Sequence, residues 1–152
     1  MWQPGRWAGR LRRLLPGIWL GMLLTVAFVA APSLFALLDR PVAGRVAARL
    51  FGVEAQLSLV LAVVLGLLER TRAARRALAS QGSRVSAELL LVLGALFCTI
   101  LGHHGLQPMM ESARAGRSAW SFGALHAVSS GIYLVKCLLV ATLVWRASQA
   151  DR

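Results

Sequence analysis

The side chains of this sequence that could carry chemistry are few, and they lie within or beside long apolar stretches. His103 and His104 are adjacent near the end of one stretch, His126 lies near the start of a later one, and Glu54 lies near the start of an earlier one. Imidazole and carboxylate groups can bind metal ions or relay protons, and histidines can be axial ligands of haem. Inside a membrane such groups are functional hypotheses by default.

These residues leave two interpretations open. One is a metal site at Glu54 and His126, or a haem or other cofactor held by His126 with His103 or His104. The other is that each histidine only packs through a hydrogen bond or lies at the membrane surface.

Lys136 lies deep in the last apolar stretch, nine residues before Trp145. An unpaired cation near the middle of a bilayer costs on the order of 3 kcal/mol on insertion scales. We therefore expect either a carboxylate partner, for which Glu88 is the nearest by depth, or a side chain that snorkels to the headgroups. A role in transport is the third alternative.

The histidines and the lysine need helices to position them, and residues 122–145 predict one most clearly. This run of 24 residues would be roughly 36 Å long as a helix, enough to cross a hydrocarbon core of about 30 Å. On a helical wheel its polar side chains fall on one side, which we call the polar stripe. Since polar groups that face hydrocarbon without a partner cost several kcal/mol each, the stripe should face other helices. The stripe comprises His126, Ser129, Ser130, Tyr133, Lys136 and Cys137.

The composition predicts an integral membrane protein in contact with the lipid bilayer. The chain is 57% hydrophobic with a mean hydropathy of +0.64, and its apolar residues form blocks of about 20. The blocks predict spans at residues 17–38, 50–68, 85–106 and 122–145, after a basic segment 1–16 and before a polar tail 146–152. The expected fold is an all-α membrane four-helix bundle with up-down topology. We expect no nucleic-acid partner despite the charge of +11, because the arginines lie between the apolar blocks.

Small residues at a spacing of four predict where the helices approach each other closely. In the second predicted span this seam also includes Glu54 and Ser58. Such faces should turn toward the bundle, and they could also serve a homo-oligomer. The seams consist of Glu54, Ser58, Ala62 and Gly66 in the second span, Gly94, Cys98 and Gly102 in the third, and Gly17 with Gly21 in the first.

The distribution of basic residues predicts the orientation. Eleven lysines and arginines lie in the two terminal segments and in the loop between the second and third spans, and five lie in the other two loops. The positive-inside bias therefore places both termini in the cytoplasm, as for a bacterial inner-membrane (plasma-membrane) protein. A cleaved signal peptide is a rival interpretation for residues 1–31, but Pro32 would then follow the cut directly.

Prolines and a turn mark the predicted breaks. Pro32 should kink the first helix, with Ser33 to satisfy freed backbone groups. Pro41 should begin the next element, so residues 42–50 are either an interfacial turn or the start of the second span. The third span is expected to end before Pro108.

Four different short motifs lie at the ends of these predicted spans: PSLF at 32–35, LF at 50–51, LQP at 106–108, and Phe122 followed by LHAVS at 125–129. In these motifs and in their order, residues 17–145 resemble the small four-span proteins called transmembrane-protein-205-like, also called domain of unknown function 4149. The resemblance implies a four-helix membrane domain, and it names a fold more than an activity.

The sequence has no phosphate-binding loop, nucleophile elbow, CxxC or HExxH motif. We therefore expect a non-enzymatic polytopic membrane protein: a helical-bundle scaffold, a partner subunit, or a minor solute or metal handler. The alternative is a small haem- or metal-binding membrane oxidoreductase that uses His126 with His103 or His104. A transporter, which would need several copies of four spans, is third.

Overall fold

The computed structural model describes residues 4–79 and 85–149, and within these ranges every regular element is a helix. Four long helices result. α1 joins Pro4–Thr25, the π-helical stretch Val26–Ala30 and Ala31–Leu37; α2 is Arg40–Leu78; α3 joins Ala87–Ile100, the π-helical stretch Leu101–Leu106 and Gln107–Arg114; α4 is Phe122–Gln149. All four are long and apolar enough to cross a membrane. The prediction of an all-α integral membrane protein with four spans is confirmed.

Three helices extend well beyond the predicted spans: α1 at its start, α2 at both ends and α3 at its end. α2 has 39 residues and begins at Arg40 with a proline in its first turn, so residues 42–50 are the start of the second helix and not a separate turn. α3 does not end before Pro108, as the sequence suggested, but continues to Arg114. The chain then turns at Gly116, whose φ of 69° is a conformation that glycine adopts without strain.

Each π-helical stretch ends two residues before a proline, at Pro32 and at Pro108. A proline ring inside a helix clashes with the carbonyl four residues earlier and donates no hydrogen bond. The wider π turn makes room for the ring, and the helix continues. At the first site the Ser33 hydroxyl donates to the Val29 carbonyl oxygen at 2.6 Å, one residue after the carbonyl that Pro32 leaves without its usual donor.

The helices are arranged in a square in the order α1, α2, α3, α4, and each packs against its two neighbours. In the part of the chain that the structure describes, the diagonal pairs α1–α3 and α2–α4 have no comparable backbone contact. Large side chains fill the centre, and Trp19 and Leu23 of α1 are completely buried there. The main core comprises Trp19, Leu23, Ala62, Leu65, Val92, Ala95, Cys137, Val140 and Leu143.

The outer surface of the bundle is largely apolar. Leu, Ile, Val and Phe side chains are exposed on all four helices, for instance Ile18, Val60, Phe97 and Leu138. Contiguous exposure of this kind is rare on soluble monomers, but it is what contact with lipid requires.

Candidate functional site

A buried ion pair connects two diagonally opposite helices through the centre of the bundle. The Lys136 ammonium of α4 lies 2.9 Å from Glu54 Oε1 and 3.1 Å from Glu54 Oε2 of α2, and it donates a hydrogen bond to each. Both residues are 3% exposed. Because their helices are not neighbours, the two long side chains fill the space that the square arrangement leaves at its centre.

Two further side chains extend this pair into a chain of hydrogen bonds. Ser58 lies one helical turn after Glu54, so it is on the same face, and its hydroxyl donates to Glu54 Oε1 at 2.5 Å. The indole N–H of Trp19 donates to the Ser58 hydroxyl oxygen at 2.8 Å. The chain of donors therefore runs from α1 through α2 to the carboxylate, and the predicted seam of Glu54 and Ser58 does face the bundle.

Tyr133 closes the site on the α4 side. Its ring lies 4.5 Å from the Lys136 ammonium, within the range of a cation–π contact. The Phe51 ring packs against it nearly at a right angle, with the centroids 5.5 Å apart. The ammonium thus has a carboxylate on one side and an aromatic face on the other.

Glu54 and Lys136 are fully paired with each other and with their neighbours, and this limits the chemistry that the site can perform. Removing one partner of a buried ion pair leaves an uncompensated charge and costs about 3–5 kcal/mol. Here the carboxylate accepts three hydrogen bonds, two from Lys136 and one from Ser58. The network therefore holds α1, α2 and α4 in one register, and it leaves neither carboxylate oxygen without a donor.

The partner of Lys136 is thus Glu54, and the sequence-based expectation of Glu88 or of snorkelling was wrong. Glu88 instead accepts from Arg146 of α4, at 2.9 and 3.0 Å, near one end of the bundle. The error came from the assumed start of the second span at residue 50. Glu54 lies 14 residues after Arg40, the true start of α2, and Lys136 lies 14 residues after Phe122, the start of α4. The two side chains are therefore at equal depth.

The polar stripe of α4 divides between the interior and the outside. Tyr133 and Lys136 point inward, Ser129 is half-buried, and His126 and Ser130 are exposed. Ser130 lies about 120 degrees from Lys136 on the wheel, too far round to share its face. Its hydroxyl donates to the His126 carbonyl oxygen of its own helix at 2.9 Å, which satisfies the group without a partner helix.

His103 and His104 lie in the π-helical stretch within α3, and His126 lies near the start of α4. His103 is half-buried, with its ring 4.9 Å from that of His104 and nearly perpendicular to it. The exposed His126 stacks on the Phe122 ring, with the centroids 5.7 Å apart. Over residues 4–79 and 85–149 the structure brings together no group of three His, Cys, Asp or Glu side chains that could hold a metal ion. The suggested metal ligand Glu54 already has both oxygens engaged by Lys136.

The small residues that were predicted to allow close helix packing differ in how closely a neighbouring helix approaches them. A Cβ at Gly94 would lie 3.1 Å from Leu139 Cδ1 of α4, so this glycine allows a close approach of α3 to α4. Ala62 is buried, and a Cβ at Gly66 would make only an ordinary contact, at 3.8 Å, with Val92. Cys98 is half-buried, and a Cβ at Gly102 would meet no atom within 4 Å. The closest approach is therefore at Gly94 and not at Gly102.

A second group of charged residues, which the sequence did not predict, lines a cleft of about 80 Å³ at one end of the bundle. There Arg12 Nε lies 3.2 Å from Glu69 Oε1, and Arg72 lies 3.7 Å from Glu69 Oε2. This group was not predicted, because residues 1–16 were expected to form a separate segment and the second span was expected to end at residue 68. The lining consists of Arg12, Arg13, Pro16, Leu65, Glu69, Arg72, Glu88, Leu143, Arg146 and Ala147.

A family model described as "Domain of unknown function (DUF4149)" matches residues 14–119. The chain belongs to this family. The DUF4149 match extends from within α1 to just before α4, so it includes Trp19, Glu54 and Ser58 and ends before Lys136. Comparison with curated proteins and with solved structures gives no match.

Proposed function

We propose that this chain is a non-enzymatic helical-bundle scaffold or partner subunit of a membrane, whose interior is fixed by the network around Lys136 and Glu54. The observation that carries the proposal is the complete pairing of Glu54 and Lys136 at the centre of the bundle. A solute or proton site needs a group that can exchange partners, whereas both oxygens of Glu54 accept hydrogen bonds from within the bundle. The function then belongs to the outer faces and the ends of the helices.

The orientation that we propose has both termini in the cytoplasm, as in a bacterial inner membrane. The cleft supports it, since Arg12, Arg13, Arg72 and Arg146 lie together at the end where α1 begins and α4 ends. Fusions of a periplasm-active or a cytoplasm-active reporter to each terminus test this. Activity of only the cytoplasmic reporter at both ends is expected, and a terminus on each side of the membrane would contradict the four-span bundle.

Association with a second copy stays a prediction, and one face of α1 makes it testable. Gly17 and Gly21 are exposed, and a Cβ at either position would meet no atom within 4 Å. Gly17→Leu with Gly21→Leu should leave the fold of the monomer intact. Light scattering of the purified protein in detergent then measures the oligomer: a smaller particle for this variant supports association through α1, and an unchanged particle contradicts it.

Assays for transport, haem binding and metal binding test the proposed scaffold role, because that role excludes all three. The purified full chain is placed in liposomes that contain a pH-sensitive dye or a metal-sensitive dye, and its absorption spectrum and metal content are measured. We expect flux no greater than in protein-free liposomes, no Soret band and no stoichiometric metal. Proton or metal flux that disappears in Glu54→Gln would overturn the scaffold in favour of a transporter. A Soret band that is lost in His126→Ala would favour the haem-binding oxidoreductase.

A further inference from the structure

Two buried polar atoms in the cleft at the Arg12 end make no hydrogen bond. They are Arg12 Nε, a donor, and Glu69 Oε2, an acceptor, and they are the only such atoms among the side chains that the structure describes. Arg12 Nε is 3.2 Å from Glu69 Oε1, but the contact lacks the geometry of a hydrogen bond. Buried polar atoms in native proteins nearly always have a partner, so a donor and an acceptor left over in one cleft indicate a ligand that offers both an acceptor and a donor.

The charges and size of the cleft restrict that ligand. Four arginines against two glutamates give the lining a formal excess of two positive charges, which favours an anion. One water molecule needs roughly 10–15 Å³ of such space, so a cleft of about 80 Å³ accepts a group of several atoms. Arginine is the side chain best suited to phosphate, because its planar guanidinium presents several donors at once.

The position of the cleft in the bundle points to the membrane itself. It lies where α1 and α3 begin and where α2 and α4 end, and it is lined by apolar Leu65 and Leu143 on its inner side. Leu14 and Ile18, one turn apart on α1, are both more than 60% exposed on the outer side of that helix, away from the cleft. The surface around this end of the bundle is therefore apolar, and the acyl chains of a lipid whose phosphate is held in the cleft would pack on it.

We propose that this cleft binds the headgroup of an anionic phospholipid, recognised as a phosphate diester that also carries a hydroxyl donor, as phosphoglycerol does. Phosphate oxygens accept from Arg12 Nε and from the guanidinium groups of Arg13 and Arg72. A headgroup hydroxyl donates to Glu69 Oε2. The ion pairs of Arg12 with Glu69 and of Arg146 with Glu88 hold the walls of the cleft in place.

Native mass spectrometry of the purified full chain, with lipids added one at a time, tests this site. Phosphatidylglycerol carries the phosphate, the net charge and the hydroxyls; phosphatidylethanol keeps the phosphate and charge but has no hydroxyl; phosphatidylcholine has a phosphate but no net charge. We expect affinity to fall in that order, by about fivefold at each step, which corresponds to one hydrogen bond or one favourable charge. Equal affinity for all three lipids would overturn the proposal, and equal affinity for the first two would remove the role of Glu69 Oε2.

Matched variants separate the cleft from general attraction to a basic surface. Arg13→Gln with Arg72→Gln removes two arginines of the lining, and Arg70→Gln with Arg75→Gln removes two exposed arginines of α2 that do not line it. The first pair should weaken binding of phosphatidylglycerol about tenfold or more, and the second less than about threefold. Equal losses would overturn the site. If the first double variant does not fold, Arg72→Gln alone is compared with Arg75→Gln.

Glycerol 3-phosphate distinguishes the two sources of the same phosphate chemistry. If the lipid is the ligand, a millimolar concentration of this soluble compound should not displace phosphatidylglycerol, because it lacks the acyl chains that would pack on the apolar outer surface of the bundle. Full displacement of phosphatidylglycerol by glycerol 3-phosphate would overturn the lipid assignment. If the variant with Arg13→Gln and Arg72→Gln also lost binding of glycerol 3-phosphate, the cleft would be a site for a soluble phosphate.

Discussion

Tyr133 of α4 donates a hydrogen bond from its hydroxyl to the backbone carbonyl oxygen of Leu23 in α1, at 3.0 Å and across 110 residues of sequence. This bond and the contact of the same ring with Lys136 tie the last helix to the first. In lipid, where no water competes, a buried carbonyl with such a donor fixes how the two helices meet.

Tyr133→Phe should remove that bond and keep the aromatic face next to Lys136. We expect the free energy of unfolding to fall by about 1 kcal/mol, the usual net contribution of one hydrogen bond. Denaturation of the purified protein in mixed detergent measures it. Ser130→Ala is the matched control, because that hydroxyl bonds only to its own helix and is exposed; a loss as large as that of Tyr133→Phe would contradict the special role of the α4–α1 bond.

Glu88→Gln should have little effect. Its pair with Arg146 has side-chain exposures of 17% and 41%, and exposed pairs contribute about 0–1 kcal/mol, less at high salt. Thermal denaturation in low and high salt measures the contribution. A loss of several kcal/mol would instead indicate that Glu88 neutralises the buried Lys136, as the sequence alone suggested.

Gly94→Leu should disturb the bundle more than Gly102→Leu does. A Cβ at Gly94 already lies 3.1 Å from Leu139, whereas a Cβ at Gly102 has free space around it. Overpacking of this kind costs about 1–3 kcal/mol. The melting temperatures of the two variants in detergent are compared directly, and a lower value for Gly102→Leu would mean that the contact of α3 with α4 is placed incorrectly.

Much of the fold follows from the sequence, because a helix that crosses lipid must have a long apolar sequence, and such sequences are easy to recognise. Apolar blocks of membrane length, the small residues beside Glu54 and the proline with Ser33 all lead to the observed helices and to the hydrogen bond of Ser33. The depth of each side chain was less predictable. Arg40, Arg45 and Arg49 made the first turns of α2 resemble a loop, yet they are part of one continuous helix.

The site was harder to predict than the fold, since it depends on which helices are diagonal. Helical wheels give the face of each residue but not the order of helices around the bundle, so the wheels alone do not pair Glu54 with Lys136. Trp19 was missed altogether, because an indole in an apolar run looks like any other core side chain. The signal that could have found the pair is chemical: Lys136 needed an acid, and Glu54 was the one acid on a predicted inward seam.

A double-mutant cycle at Glu54 and Lys136 shows directly whether the two side chains meet inside the bundle. Glu54→Leu and Lys136→Met alone should each lower the free energy of unfolding by about 3–5 kcal/mol, because each leaves one buried charge unpaired. Together they should cost less than either does alone, since two apolar side chains then fill the centre. If Lys136→Met alone is tolerated, or if the two costs simply add, then the lysine and the glutamate do not meet inside the bundle.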